Sequence, residues 1–256
     1  MLYFPPAKVN IGLHVTAKRP DGFHEIETLF YPVTSLYDVL EVAPAERFSI
    51  RLSGLPVEGA PETNLCVKAY RLLQADFDLP PVTIYLHKVI PPGAGLGGGS
   101  SDATATLLAL NELFFLQLSY GQLFHYAMQL GSDCAFFLHR QPMLATGRGE
   151  VLTTLSGLDL QPYSVVIETP PVFISTAEAY AGITPRLPAQ PLASLLAQPV
   201  EQWKENVVND FEAPVFARHP VLAQIKQRLY DAGAVYAAMS GSGSALFGLF
   251  RRLAPV

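Results

Sequence analysis

The sequence predicts an α+β fold, and three observations carry that prediction. β-patterned runs crowd the two ends of the chain. Between them, several stretches repeat apolar residues at helical spacing. Strands and helices mix without the regular alternation that a doubly wound sheet requires. Half of the 256 residues are hydrophobic and 15% are charged, which allows a sizeable core and argues against disorder. A soft lobe boundary falls near residue 150.

Taken in order, residues 1–16 and 26–52 read as strand-rich, with "VNIGLHV", "TLFYPV" and "DVLEV" set off by turn residues. Thr63 or Asn64 can cap a helix that lines up Leu65, Ala69, Leu72 and Leu73. "VTIYLHK" (82–88) alternates as a strand does. A glycine-dense stretch follows, and then Leu107, Leu110 and Phe114 return to helical spacing. Ser119 opens another helix, with Leu123, Ala127 and Leu130, that Gly131 ends. "YSVVIET" (163–169) reads as a buried strand, and the Pro-rich stretch 185–199 as a long connection. A helix carrying Leu222, Ile225 and Leu229 stops near Gly233. Two strands, "AVYAAM" and "SALFGLF", close the chain around a Ser-Gly turn.

Charge and cysteine content narrow the function. A net charge of −5 argues against unspecific nucleic-acid binding, which needs a basic face. It also means that an anionic ligand must be held by local positive features. Two cysteines, Cys66 and Cys134, form neither a disulfide framework nor a metal-ligand pattern. The opening "MLYFPPAKVN" lacks a basic segment followed by an apolar run, so no signal peptide is expected. No stretch nears eighteen uncharged apolar residues, so no membrane span is expected. A cytoplasmic protein fits these features.

The local positive feature is "PPGAGLGGGSSDA", with five glycines between Gly93 and Gly99. Glycines between a strand and a helix let the backbone take positive φ and turn its N–H groups into one concavity. The helix start adds unpaired N–H groups and a positive dipole end. Together they cradle phosphate without a lysine. The plainer alternative is a flexible turn with Ser101 or Asp102 as an N-cap. No Gly-Lys-Ser/Thr occurs, so this is not a Walker A loop. Nor is it a clean dinucleotide fingerprint, since it falls after about ninety residues and no acidic residue stands out at the end of a following strand.

"IPPGAGLGGGSSDA" resembles the central motif of the GHMP kinases. "PAKVNIGLHV" is similar to their N-terminal motif and "MSGSGSALFG" to their C-terminal glycine motif. "KRPDGFHEIETLF", "NLCVKAYRLL", "LGSDCAFFL" and "ATGRGE" stand between in family order, so the likeness spans residues 5–248. It implies the GHMP kinase fold, two lobes with the active site in the cleft between them. Residues 1–150 would form an N-terminal ATP-binding lobe and 151–256 a C-terminal lobe. Within the family, the motifs resemble the branch that transfers a phosphoryl group from ATP to the 2-hydroxyl of a cytidine diphosphate-linked methylerythritol, on a non-mevalonate route to isoprenoids. No nucleic acid, membrane or obligatory protein partner is implied.

The resemblance also assigns residues. Pro91, Pro92, Gly93, Ala94, Gly95, Leu96, Gly97, Gly98, Gly99, Ser100 and Ser101 would bind ATP, with Ser101 a candidate Mg²⁺ ligand. On sequence alone Asp133, just past a helix end and before apolar "CAFFL", is either a cap or a working carboxylate. The likeness of "GSD" to the family's catalytic stretch makes it the candidate base, although the family has Val-Pro where this chain has Cys134-Ala135. Lys8 is alone in an apolar strand, read either as an edge lysine reaching water or, by resemblance, as the partner that keeps the aspartate ionised. Asn10 and His24 resemble positions that pair with the cytosine edge. Phe23, where the family often has Tyr, and Tyr180 would stack on the base. Each of these also suits an ordinary loop or core residue. Gly241–Gly243 reads as the floor beneath the phosphates or as a tight hairpin. Another GHMP kinase, or a nucleotide-binding module without catalysis, is the alternative. "RPDGFHE" with Tyr180 speaks against the first, and Lys8 with Asp133 against the second.

Overall fold

A computed structural model describes residues 1–139 and 141–252, so the last four residues of the expected C-terminal lobe lie outside it. In chain order the strands are β1 (Leu2–Tyr3), β2 (Pro6–Lys18), β3 (His24–Tyr37), β4 (Val39–Pro44), β5 (Ser49–Gly54), β6 (Val82–Lys88), β7 (Met143–Thr146), β8 (Val151–Thr153), β9 (Tyr163–Glu168), β10 (Tyr236–Met239) and β11 (Leu246–Arg251). The helices are α1 (Leu65–Phe77), α2 (Gly98–Leu113), α3 (Tyr120–Leu130), α4 (Thr176–Ala181), α5 (Leu192–Leu196), α6 (Trp203–Asn206), α7 (Glu212–Arg218) and α8 (Pro220–Asp231). The mixture is α+β, as expected.

The chain forms two compact units, each assembled from separated stretches. The first takes residues 1–8, 32–92 and 97–141, the second 9–31, 93–96 and 142–256. A single cut near residue 150 does not reproduce them. The reason is pairing: Leu13 bridges Asn209 in parallel and donates its N–H to the Val208 carbonyl, and β8, past residue 150, closes the sheet β2-β3-β7-β8.

In the first unit, β1-β4-β6-β5 make a mixed sheet with β6 central. The alternation of "VTIYLHK" works there as read: Val82, Ile84 and Leu86 are buried while Tyr85 is exposed. α1 and α2 pack on each other, and α2 lies on β4. Asn64, the residue before α1, caps it by accepting the Cys66 N–H at 2.9 Å. Ser119 and Gln122 form a reciprocal capping box at the start of α3.

The second unit is built on β2-β3-β7-β8 and on β10-β11-β9. Its core gathers Leu13, Val15, Ile174, Phe211, Val215, Leu222, Ile225 and Leu229, which includes the α8 stripe expected from the spacing.

Three local expectations are corrected. α2 begins at Gly98, inside the glycine stretch rather than after it. "YSVVIE" is an edge strand, paired with β11 alone among the described strands, and Val166 is exposed. The Pro-rich stretch 185–199 contains α5, because Leu192, Leu195 and Leu196 find a core to enter. Among the described residues no helix is long and apolar enough to cross a membrane.

Candidate active site

Burial fixes Lys8 before any charge is considered. Its neighbours in β2, Ala7 and Val9, are wholly buried, and the strand carries Lys8 in with them at 4% exposure. The ammonium stands 3.3 Å from Asp133 Oδ2. An edge lysine reaching water is therefore not what this residue is.

Asp133 is set by its apolar neighbours in the same way. Cys134, Ala135 and Phe136 are fully buried in a 3₁₀ turn, Cys134–Leu138. Thr104 Oγ1 of α2 donates to the Cys134 carbonyl at 2.8 Å and to the Ser100 carbonyl at 3.0 Å, which ties that turn to the start of α2. The Asp133 side chain makes no capping hydrogen bond, so the cap reading fails on geometry. Its carboxylate is about one-third exposed and faces Lys8. Cys134 is no competing nucleophile, because burial pushes its thiol up to about 11.

The glycine stretch shows why it tolerates no side chains. At Gly97, φ is +70°, and a Cβ would stand 3.0 Å from both Lys8 Cγ and Phe137 Cζ. The structure thus brings Lys8, Asp133 and Gly97 together in the first unit. Gly97 also takes the N-cap position of α2 with no capping side chain. Ser101 and Asp102 lie inside the helix and are not its caps. In the second unit, a Cβ on Gly95 would fall 2.2 Å from the Ser240 carbonyl oxygen. Ser240 Oγ donates to the Gly95 carbonyl at 2.9 Å, and Ala245 N–H to the Ala94 carbonyl at 3.1 Å. The Gly241–Gly243 turn joins β10 to β11 as a hairpin and also lets this close approach happen.

Ser101 is buried, and its Oγ has no hydrogen-bond partner among the described residues. It also lines a groove of about 750 Å³ with Phe4, Tyr37 and Phe137. No group of three His, Cys, Asp or Glu side chains able to hold a metal occurs among the described residues. Mg²⁺ does not ask for one, since it is usually held by one or two protein oxygens together with phosphates and water. An orphaned buried hydroxyl lining that groove fits an ion carried in with a nucleotide.

The expected base-recognition residues lie in the second unit. Asn10 is buried, and its Nδ2 donates to Thr28 Oγ1 at 3.1 Å while Thr28 donates on to the Gly12 carbonyl. His24 and Tyr180 stack at 4.5 Å with planes 19° apart, and Phe211 meets Tyr180 edge-on. Phe23 is half exposed and lies under the Arg148 guanidinium at 5.0 Å. The ring stacked on Tyr180 is thus His24, and Phe23 packs separately. Burial, helped by Lys18, holds the His24 pKa below its ordinary value. That favours the neutral ring, which has one nitrogen to donate and one to accept.

Several structural supports carry no sequence signal. Asp38, Lys88 and Asp102 form a buried ion cluster across separations of 50 and 14 residues, and no spacing rule links such positions. Asn209 Nδ2 donates to the Met239 and Gly241 carbonyls, both at 2.8 Å, and so braces the C-terminal turn.

Residues 64–141 match the family described as GHMP kinases N terminal domain, and residues 192–256 match GHMP kinases C terminal. The 4-diphosphocytidyl-2-C-methyl-D-erythritol kinase of Bacteroides fragilis is 50% identical over 254 residues, covering 98% of this chain and 92% of that protein. That of Porphyromonas gingivalis is 47% identical, with the same coverage. A crystal structure of 4-(cytidine 5'-diphospho)-2C-methyl-D-erythritol kinase superposes with a TM-score of 0.82 at 37% identity, covering 97% of this chain and 90% of that one. A mevalonate kinase crystal structure gives 0.71 at 13% identity over 98% and 91%. At that identity it speaks for the fold alone.

Proposed function

The chain belongs to the GHMP kinases, and on that premise we propose that it phosphorylates the 2-hydroxyl of 4-diphosphocytidyl-2-C-methyl-D-erythritol with ATP, in the supply of isoprenoid precursors. Identity of 50% across nearly the whole length of a relative with that name supports the substrate. The observation that carries the chemistry is the Lys8–Asp133 pair beside Gly97.

Phosphoryl transfer needs a held nucleotide, an in-line hydroxyl and compensation for the moving charge. Residues Pro91–Ser101 hold the phosphates through backbone N–H groups and the α2 dipole. Asp133 accepts the proton of the substrate hydroxyl. That oxygen bonds to the γ-phosphorus, the bond to the β-phosphate oxygen breaks, and ADP leaves. Lys8 sets its positive charge beside Asp133 and favours the developing alkoxide. Ser101 would help to hold Mg²⁺, which when bound neutralises phosphate charge. Asn10 and neutral His24 pair with the cytosine edge, while Phe23 and Tyr180 offer faces for stacking. Within residues 1–150 we assign nucleotide binding to Pro91–Ser101, and residues 151–256 add Tyr180 and the Gly241–Gly243 turn, although neither stretch is by itself one of the two compact units. A cytoplasmic location suits the two unpaired, buried thiols.

An ATP turnover assay, run with and without the cytidylyl alcohol, tests this reading. Turnover should appear only with that acceptor. Equal turnover on homoserine or mevalonate would overturn the substrate assignment, and ATP binding without turnover on any acceptor would overturn the kinase itself.

A further inference from the structure

The glycine stretch is tied at both ends to one buried charge cluster. Asp38, between β3 and β4, has no exposed surface. Its Oδ1 accepts the backbone N–H groups of Val89 at 2.5 Å and Ile90 at 2.9 Å, the two residues that lead into Pro91. Its Oδ2 accepts from Lys88 Nζ at 2.5 Å. The same ammonium donates to Asp102 Oδ2 at 2.7 Å, and Asp102 lies four residues into α2, where the glycines end. Lys88 and Asp102 are 4% and 2% exposed. The ammonium is close enough to the loop that a Cβ on Gly98 would stand 3.2 Å from it.

Stability alone does not account for this cluster. Three buried ionisable groups are costly to desolvate, and well-packed apolar residues often serve a core as well or better. Two carboxylates share one ammonium, and Asp102 Oδ1 has no hydrogen-bond partner among the described residues. The neighbouring loop does have a need the cluster can meet. Five glycines in seven residues carry the largest backbone entropy a chain can hold, and a cradle that must be ordered at each binding event binds more weakly. The glycines have no side chains to order themselves.

We propose that Asp38, Lys88 and Asp102 are positioning residues for the nucleotide phosphates, a clamp that holds the entry and the exit of the glycine loop so that its N–H groups are aimed before ATP arrives. The proposal rests on the reading of Pro91–Ser101 as the ATP cradle. It makes the clamp matter for ATP and not for the acceptor.

The test compares the full-length wild type with Asp102→Asn and Lys88→Met by steady-state kinetics and by hydrogen exchange of the loop amides. Asp102→Asn keeps the shape and removes the carboxyl group that accepts from Lys88. It should raise the KM for ATP about tenfold, the worth of one weakened charge-assisted hydrogen bond. The KM for the acceptor should stay within about twofold, and exchange over residues 93–99 should quicken in the nucleotide-free protein. Lys88→Met should do more; if it does not fold, Asp102→Asn decides alone. A lower kcat at unchanged KM for ATP would mean only a smaller folded fraction, and overturns the proposal, as does unchanged loop exchange. Gly97→Val in the same assays separates the premise. If ATP protects the loop in the wild type and Gly97→Val weakens ATP binding, the cradle stands and the clamp is judged on its own results. If neither holds, the cradle reading fails and the clamp falls with it.

Discussion

Asp133 and Lys8 make the sharpest case for single residues, because their positions are enforced by apolar neighbours and not by each other. Replacing Asp133 by Asn should lower kcat by about 10²–10⁴, the usual worth of a positioned base, with little change in either KM. Near-normal turnover would leave the carboxylate without a catalytic task. Tyr180→Ala and Phe23→Ala should each raise the KM for the cytidylyl substrate roughly 5- to 150-fold if stacking contributes as it does in single-strand binding sites. The KM for ATP should hardly move, and equal damage to both would count against the base pocket. Asp102 has a pH signature of its own. Burial, with Asp38 nearby and despite Lys88, pushes its carboxyl up to about 7, while the unfolded group titrates near the usual carboxylate value of about 4. The folded state therefore binds more protons between those limits. Its contribution to stability is fully present below about pH 4 and is lost as pH rises through about 7. The groups facing it are Lys88, Asp38 and the buried Cys66 thiol. Denaturant midpoints of the wild type against Asp102→Asn across this range should show the difference. A wild type that gained on the variant with rising pH would contradict the sign.

At the scale of elements, the loop and the helix after it act as one piece. α2 starts at Gly98 with Gly97 at positive φ, so the turn that shapes the cradle is also the turn that begins the helix. Gly97→Val combines a disfavoured backbone conformation with a collision against Lys8 and Phe137. ATP affinity should fall in a protein that still folds, measured by titration with nucleotide. Retained affinity would mean that the phosphates sit elsewhere. A contrasting change is Ser119→Ala, which removes the α3 capping box. It should cost about 1 kcal/mol, seen as a lower Tm, while the kinetic constants of the folded enzyme stay put.

For the molecule as a whole, the interleaving of the two units sets what can be cut. Leu13 N–H donates to the Val208 carbonyl, Val15 N–H to Asp210 Oδ2, and Asn10 N–H to Ser240 Oγ. β2 therefore completes its hydrogen bonding with residues 195 to 230 positions later. A fragment of residues 1–150 would leave these buried donors without partners, which costs about 1–3 kcal/mol each. It should show no cooperative unfolding transition of its own by calorimetry. A fragment that melted like the intact protein would show that those long-range bonds matter little.

Much of this protein was legible without its structure. The caps at Asn64 and Ser119, the alternation of β6 and the stripe of α8 are local patterns, governed by bonds and burial within a few residues. The glycine stretch was legible because positive φ and missing side chains are properties of the residues themselves, and the family motifs named Lys8, Asp133 and the rest. What the sequence left open were matters of burial and partner. It allowed Lys8 to reach water and Asp133 to cap a turn. Only the packed Ala7, Val9 and Cys134–Phe136 bury the first and aim the second at it. It offered Phe23 and Tyr180 as the rings, and only the fold stacks Tyr180 on His24. The Asp38–Lys88–Asp102 cluster and the long-range partners of β2 had no local trace. A hydrogen bond across tens of residues depends on how the chain returns, and that return is decided by the sheets and cores as a whole.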